Sequence, residues 1–216
     1  MAETRAPLLP RASGLVLAGG RSRRFGSDKL AADAGGRPLL HLAVEAVGGA
    51  CLEVIVALST TGAAPSLPRL SVPVRLVRDS LPDAGPLAGL VAGLEAASEG
   101  LVLAVAGDMP SLEADLLTGL LERALSPLAA PGRAVVLADG DGWRPLPCVL
   151  VRDAALPLAR ERLLSDEHSL RGLIRALEPD VVAQAVWRRW DRDGQWRRDV
   201  DVPADLTRQA GGAGAA

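Results

Sequence analysis

The sequence predicts an α/β domain built on a mostly parallel sheet, and three observations carry that expectation. Short apolar runs alternate with segments of helical periodicity through residue 125. Two of those runs end in glycine turns, Ala18-Gly19-Gly20 and Gly107-Asp108. The length of 216 residues suits one domain, and 49% of them are apolar, which is enough to bury a substantial core. With a single Phe and no Tyr, that core is aliphatic.

The elements follow in order. Residues 15–17 form a first buried strand, and 18–29 a long loop. Residues 38–48 place Leu39, Leu42, Ala43, Ala46 and Val47 at helical spacing, with Pro38 at a first-turn position. Residues 52–58 are a second apolar strand, and 60–68, rich in Thr, Gly, Ala and Pro, an irregular connection. A short strand over 74–77 ends at Arg78-Asp79, and a helix over 86–98 opens after Gly85. Residues 101–106 are wholly apolar, the mark of a central strand. Ser111 is placed to cap a helix over 112–125. Beyond it, strands are expected at 134–138, 148–151 and 181–187, and helices near 155–164, 169–177 and 203–209. Segments 1–12 and 210–216 read as disordered ends of one domain. Within it, residues 13–125 and 133–209 form two halves.

Composition excludes some partners. A formal net charge of -2 gives no global footprint for nucleic acid or an anionic membrane. No apolar run reaches the roughly 18 residues of a membrane span. Cys51 and Cys148 lack metal-ligand spacing and fit a reducing, cytoplasmic compartment. His41 and His168 have no ligand partner at i+4 and are ordinary helix-face or cap residues.

The chemistry concentrates in the first loop. Its glycines let the backbone turn and approach a ligand, while Arg21, Arg23, Arg24 and Lys29 surround it with positive charge. Main-chain N–H groups in such a turn, at the carboxyl end of a strand in an open sheet, cradle polyanions. The spacing matches neither G-x-G-x-x-G nor the G-K-[ST] of a P-loop, so hydride transfer and P-loop kinase chemistry are disfavoured. Farther on, Asp79 stands just before Gly85-Pro86-Leu87-Ala88-Gly89, and Asp108 follows the central strand. A carboxylate such as Asp79 accepts from the N–H and O–H groups of a ligand. Asp108, near bound phosphates, suits Mg²⁺, which takes one or two carboxylates plus substrate oxygens.

L-A-G-G-x-x-x-R-x-G-x-D-K, the strand-ending Asp79 with G-P-L-A-G, and Asp108 together resemble the molybdenum cofactor guanylyltransferase family. The resemblance spans 15–206 and is strongest before Arg133. It implies a three-layer Rossmann-like nucleotidyltransferase fold with helices on both faces. It implies GMP transfer from GTP to the terminal phosphate of molybdenum-molybdopterin, with release of pyrophosphate. Arg24, Lys29 and Asp108 then become catalytic, with Asp108 the Mg²⁺ ligand. Leu17, Ala18, Gly19, Gly20, Lys29, Asp79, Gly85, Gly89 and Asp108 line the nucleotide. GTP and molybdopterin are the implied partners, with transient contact to cofactor delivery proteins or apo-enzymes. Gly19-Gly20 favours GTP, since cytidylyltransferase members show Ala-Ala-Gly. A cytidylyltransferase on the same cofactor, a transferase on another phosphate acceptor, and a non-catalytic delivery adaptor are the alternatives.

Three further segments lie on the acceptor side. Arg144-Pro145-Leu146 resembles the family's Pro-Leu segment, and Asp139-Gly140-Asp141-Gly142 before it reads as a hairpin tip. Arg198-Asp199-Val200-Asp201-Val202-Pro203-Ala204-Asp205-Leu206 stands where the family shows N-x-N-T-P-x-D-L, with Asp at both Asn positions and Val for Thr. Asp201 is expected to contribute to Mg²⁺ or to order Arg198. Trp187, Trp190 and Trp196, interleaved with Arg, either pack inward around an Asp193-Gly194 hairpin, stack a pterin ring, or stack single-stranded bases.

Overall fold

The computed structural model describes residues 10–19, 32, 34, 36–61, 63–79, 81, 85–126 and 132–198. Strands β1 (Ala12–Leu17), β2 (Glu53–Leu58), β3 (Val74–Arg78) and β4 (Leu101–Ala106) pair in parallel. Strands β5 (Ala134–Asp139) and β6 (Gly142–Val151) form a hairpin, and β7 (Asp180–Val182) runs parallel to β5. One seven-stranded sheet results, in the order β3-β2-β1-β4-β6-β5-β7. The antiparallel β4–β6 pairing makes both halves of the chain share it.

Alternation along each strand divides the apolar residues between the two faces. Val16, Leu103 and Val105 meet α1 (Leu39–Gly48), α3 (Ala114–Leu125) and α6 (Gln184–Trp187). Leu15, Leu17, Val102 and Ala104 meet α2 (Gly85–Ala96), α4 (Arg152–Leu164) and α5 (Leu170–Ala176). The three layers expected from the sequence are present. The helices sit close: a Cβ on Gly93 of α2 would overlap Leu15 Cδ1, whereas Gly100 has open space around it. Gly93→Ala is expected to cost about 2 kcal/mol, the ordinary penalty for overpacking. Gly100→Ala is expected to change stability by less than about 0.5 kcal/mol. Urea unfolding midpoints of the two variants check this.

Several elements differ from the sequence expectation. Ala12 is the first residue of β1, not part of a disordered lead. Helix α3 begins at Ala114 with Glu113 at its N-cap position, so Ser111 does not cap it. β6 starts at Gly142 rather than near Cys148, because Pro145 and Pro147 masked its first half. The strand expected over 181–187 is the short β7 followed by the single turn of α6. The helix expected over 203–209 lies outside the described residues.

At the amino end of the sheet, a buried polar cluster ties β1, β2 and β3 to the end of α2. Ser13 Oγ donates to Glu53 Oε1 at 2.7 Å, Ser98 N–H to the same oxygen at 2.8 Å, and Arg75 Nη2 to Oε2 at 2.5 Å. Burial pushes the Glu53 carboxyl up. The three donors and the Arg75 charge outweigh it and hold the carboxyl below its ordinary value. A carboxyl depressed in the folded state adds stability that is complete above the unfolded value of about 4.3 and vanishes as pH falls through the folded one. Glu53→Gln is therefore expected to lose about 2 kcal/mol at pH 7, with a deficit that shrinks below about pH 4. Urea titrations at pH 7 and pH 3 report both limbs.

Candidate active site

The site is built where the parallel strands end. β1 is followed by β2 on one side and paired with β4 on the other, so strand order switches between β1 and β4. Ligands of open α/β sheets bind in the crevice at such a point. The ends there are held together by main chain. Ala18 N–H donates to Ala57 O at 2.8 Å, Gly107 N–H to Leu17 O at 3.0 Å, and Asp79 N–H to Leu58 O at 3.0 Å.

These bonds bring most of the described site residues to one edge. Leu17 and Ala18 are buried and Gly19 is exposed. A Cβ on Gly19 would stand 3.3 Å from Ser59 N, a tight approach to backbone. Gly85 opens α2 with φ +69°, a conformation that favours glycine. Gly89 faces inward: a Cβ there would lie 3.6 Å from Leu17 Cδ2 and Ala57 Cβ, in ordinary packing contact. Asp79 ends β3 and Asp108 follows β4, both half-buried. They stand on either side of β1, separated by three interstrand spacings, roughly 14 Å. Arg24, Lys29 and Gly20 lie outside the described residues, as do Asp199 and Asp201.

Asp108 has the hard oxygen donors that Mg²⁺ takes. Among the described residues no group of three His, Cys, Asp or Glu could hold a metal. A single carboxylate still fits Mg²⁺, which can complete its shell with substrate oxygens and water.

The β5–β6 hairpin projects from this same edge, because β6 runs antiparallel to β4. Its tip, turned by Gly140 at φ +57°, is gripped from both sides. Arg171 of α5 lies over Trp143 at 4.5 Å and donates to its carbonyl. Asp139 accepts from Arg144 Nε at 2.8 Å and from Arg197 Nη1 at 3.3 Å. Burial pushes the Asp139 carboxyl up, but the two guanidinium groups outweigh it and hold the carboxyl below its ordinary value. Arg144 Nη1 also donates to Arg197 O at 3.0 Å. The sequence identified the hairpin tip; it did not show that Asp139 ties the tip to residue 197.

The Trp-Arg run is a cap, not a stacking platform. Trp187 and Trp196 are fully buried and meet edge to face with centroids 5.6 Å apart. Trp187 Nε1 donates to Ala138 O at 2.9 Å. The segment is two helical turns rather than a hairpin. Buried Asp191 closes it by accepting from Gly194 N–H at 2.8 Å and Trp196 N–H at 3.0 Å. Of the sequence alternatives, inward packing holds for these two rings.

Ser59 and Thr60 are site-edge residues that the sequence did not single out. They open a stretch whose composition marks only an irregular connection, and their partner lies 19 residues away. No helix among the described residues is long and apolar enough to cross a membrane.

The MobA-like NTP transferase domain matches residues 14–181. The probable molybdenum cofactor guanylyltransferase of Chloroflexus aggregans is 33% identical over 202 residues, covering 90% of this chain and 91% of that protein. The molybdenum cofactor guanylyltransferase of Pseudomonas putida is 34% identical over 165 residues, covering 76% and 82%. The crystal structure of molybdopterin-guanine dinucleotide biosynthesis protein A from Archaeoglobus fulgidus superposes with a TM-score of 0.73 at 19% identity. It covers 91% of this chain and 96% of that one, and it shares the fold.

Proposed function

The chain belongs to the MobA-like NTP transferase family, and on that premise we propose that it transfers GMP from GTP to the terminal phosphate of molybdenum-molybdopterin. The products are the guanine dinucleotide cofactor and pyrophosphate. One observation carries the reading: Asp79, the Gly19 turn and Asp108 stand in a row along the strand ends, one group for each part of a nucleotide. The guanine and the pterin rest on the family and on relatives bearing those names.

No protein nucleophile is required. A phosphate monoester has its second pKa near 6, so at pH 7 the acceptor is mostly dianionic. An acceptor oxygen attacks the α-phosphorus of GTP in line; a new P–O bond forms as the bond to the β-phosphate breaks, and pyrophosphate leaves. The protein positions these groups and offsets their charge. The backbone from Leu17 to Gly20 cradles the phosphates. Arg24 and Lys29 neutralise them and the leaving pyrophosphate. Asp108 would hold Mg²⁺, which would supply Lewis-acid stabilisation of the phosphate charge when bound. Asp79 faces the nucleoside, with Gly85 and Gly89 bringing α2 close to it. Asp201 would contribute to holding Mg²⁺ or would order Arg198. The half from 13 to 125 binds the nucleotide and that from 133 to 209 the acceptor. Product passes to delivery proteins or apo-enzymes by transient contact. The cytoplasm is the compartment that suits this chemistry. Cys51 and Cys148, free and buried with thiols pushed up to about 12 by burial, fit its reducing conditions.

The test is pyrophosphate release with Mg²⁺ and each nucleoside triphosphate, with and without molybdopterin. Release with GTP and only when molybdopterin is present supports the reading. Release with CTP alone among the nucleotides assigns the chain to cytidyl transfer, and release with GTP and a sugar phosphate assigns it another acceptor.

A further inference from the structure

The edge formed by β2 and β3 carries a hydrogen bond that the glycine loop does not explain. Thr60 Oγ1 donates to Asp79 Oδ1 at 2.5 Å, and both residues are half-buried. The surrounding main chain is fixed. Asp79 N–H donates to Leu58 O at 3.0 Å, Arg78 Nη1 to Ser59 O at 2.9 Å, and Ser59 Oγ to Thr61 O at 3.1 Å. Ser59 in turn packs against Gly19 of the β1 turn. Thr60 and Asp79 therefore hold a set position relative to the phosphate cradle.

That one bond decides what the pair can offer. A threonine hydroxyl has a single proton, and here it is committed to Asp79. The Thr60 oxygen keeps only lone pairs, and an ionised carboxylate has no proton to give. The pair presents a face of acceptors with no donor. A guanine edge offers its imino N–H and its exocyclic amine side by side. Cytosine and adenine place a ring acceptor next to their amine, and uracil flanks its one N–H with carbonyls. Against an all-acceptor face, each of these sets lone pair against lone pair. Deepening the GMP-transfer reading above, we propose that Thr60 is a positioning and specificity-determining residue. Its hydroxyl fixes Asp79 so that the pair accepts the imino and amino protons of guanine.

The test is calorimetric binding of GTP and of ITP, which lacks the exocyclic amine, to the parent chain, Thr60→Val, Thr60→Ser and Asp79→Asn in the presence of Mg²⁺. The parent is expected to favour GTP by about tenfold or more, the worth of a charge-assisted hydrogen bond. In Thr60→Val, GTP weakens about tenfold and the GTP-to-ITP ratio falls toward one. Thr60→Ser keeps the parent ratio, and Asp79→Asn loses it. An unchanged ratio in Thr60→Val, or an equal loss of both nucleotides there, overturns the proposal. Because binding is read without acceptor, the two readings fail separately. A Thr60-dependent GTP preference with no GMP transfer sinks only the activity; GMP transfer with an unchanged ratio sinks only this assignment.

Discussion

Asp108→Asn is expected to lower GMP transfer at least about 10²-fold while leaving the melting temperature within a few degrees of the parent. Asn matches Asp in shape, and the turn that presents it has main-chain and apolar anchors besides the Asp108 side chain. Gly107 N–H bonds Leu17 O at 3.0 Å, Met109 is only 2% exposed, and the inner residues of β4 are fully buried. What changes is chemistry. The amide removes a negative charge and sets N–H donors where a hard oxygen would hold Mg²⁺. In phosphoryl transfer the protein contributes chiefly position and charge, so losing one such group falls on kcat. Steady-state kinetics beside a melting curve separate this from misfolding. Near-normal turnover would remove Asp108 from the mechanism.

Trp187→Ala is expected to cost about 4 kcal/mol and to lower the melting temperature by roughly 10 °C. The indole is fully buried, bonds Ala138 O at 2.9 Å, and meets Trp196 edge to face at 5.6 Å. Truncation leaves a cavity under the cap and an unpartnered carbonyl in β5. The cap is also joined to the hairpin through Arg144, Asp139 and Arg197. Loosening it is therefore expected to raise KM for the acceptor severalfold and to leave GTP affinity near the parent value, because the strand ends proposed to hold GTP run from β3 to β4, away from the cap. Trp187→Phe, which keeps most of the buried area and loses the N–H, should recover more than half of the stability. Equal melting curves for parent and Trp187→Ala would contradict this packing account.

The sequence disclosed the parallel half of the fold because buried parallel strands are continuous apolar runs, and 52–58 and 101–106 nearly coincide with β2 and β4. It also disclosed the residues at the strand ends, where glycines and carboxylates interrupt apolar sequence. What it concealed depends on pairing across the chain. β6 was half hidden by its two prolines. Trp187 ends a helical turn rather than a strand because tertiary packing of the ring outweighs local propensity. Thr60 carries no motif, and its meaning comes only from Asp79 beside it on the neighbouring strand end. Asp139 was visible as a turn former but not as the partner of an arginine 58 residues away.

Label from α-phosphate-labelled GTP can be followed into molybdopterin, with Mg²⁺ present or removed by chelation. GMP transfer predicts labelled guanine dinucleotide cofactor and one pyrophosphate per label transferred, with both lost on chelation. Pyrophosphate release that leaves molybdopterin unlabelled, or label entering from CTP and not from GTP, would contradict it.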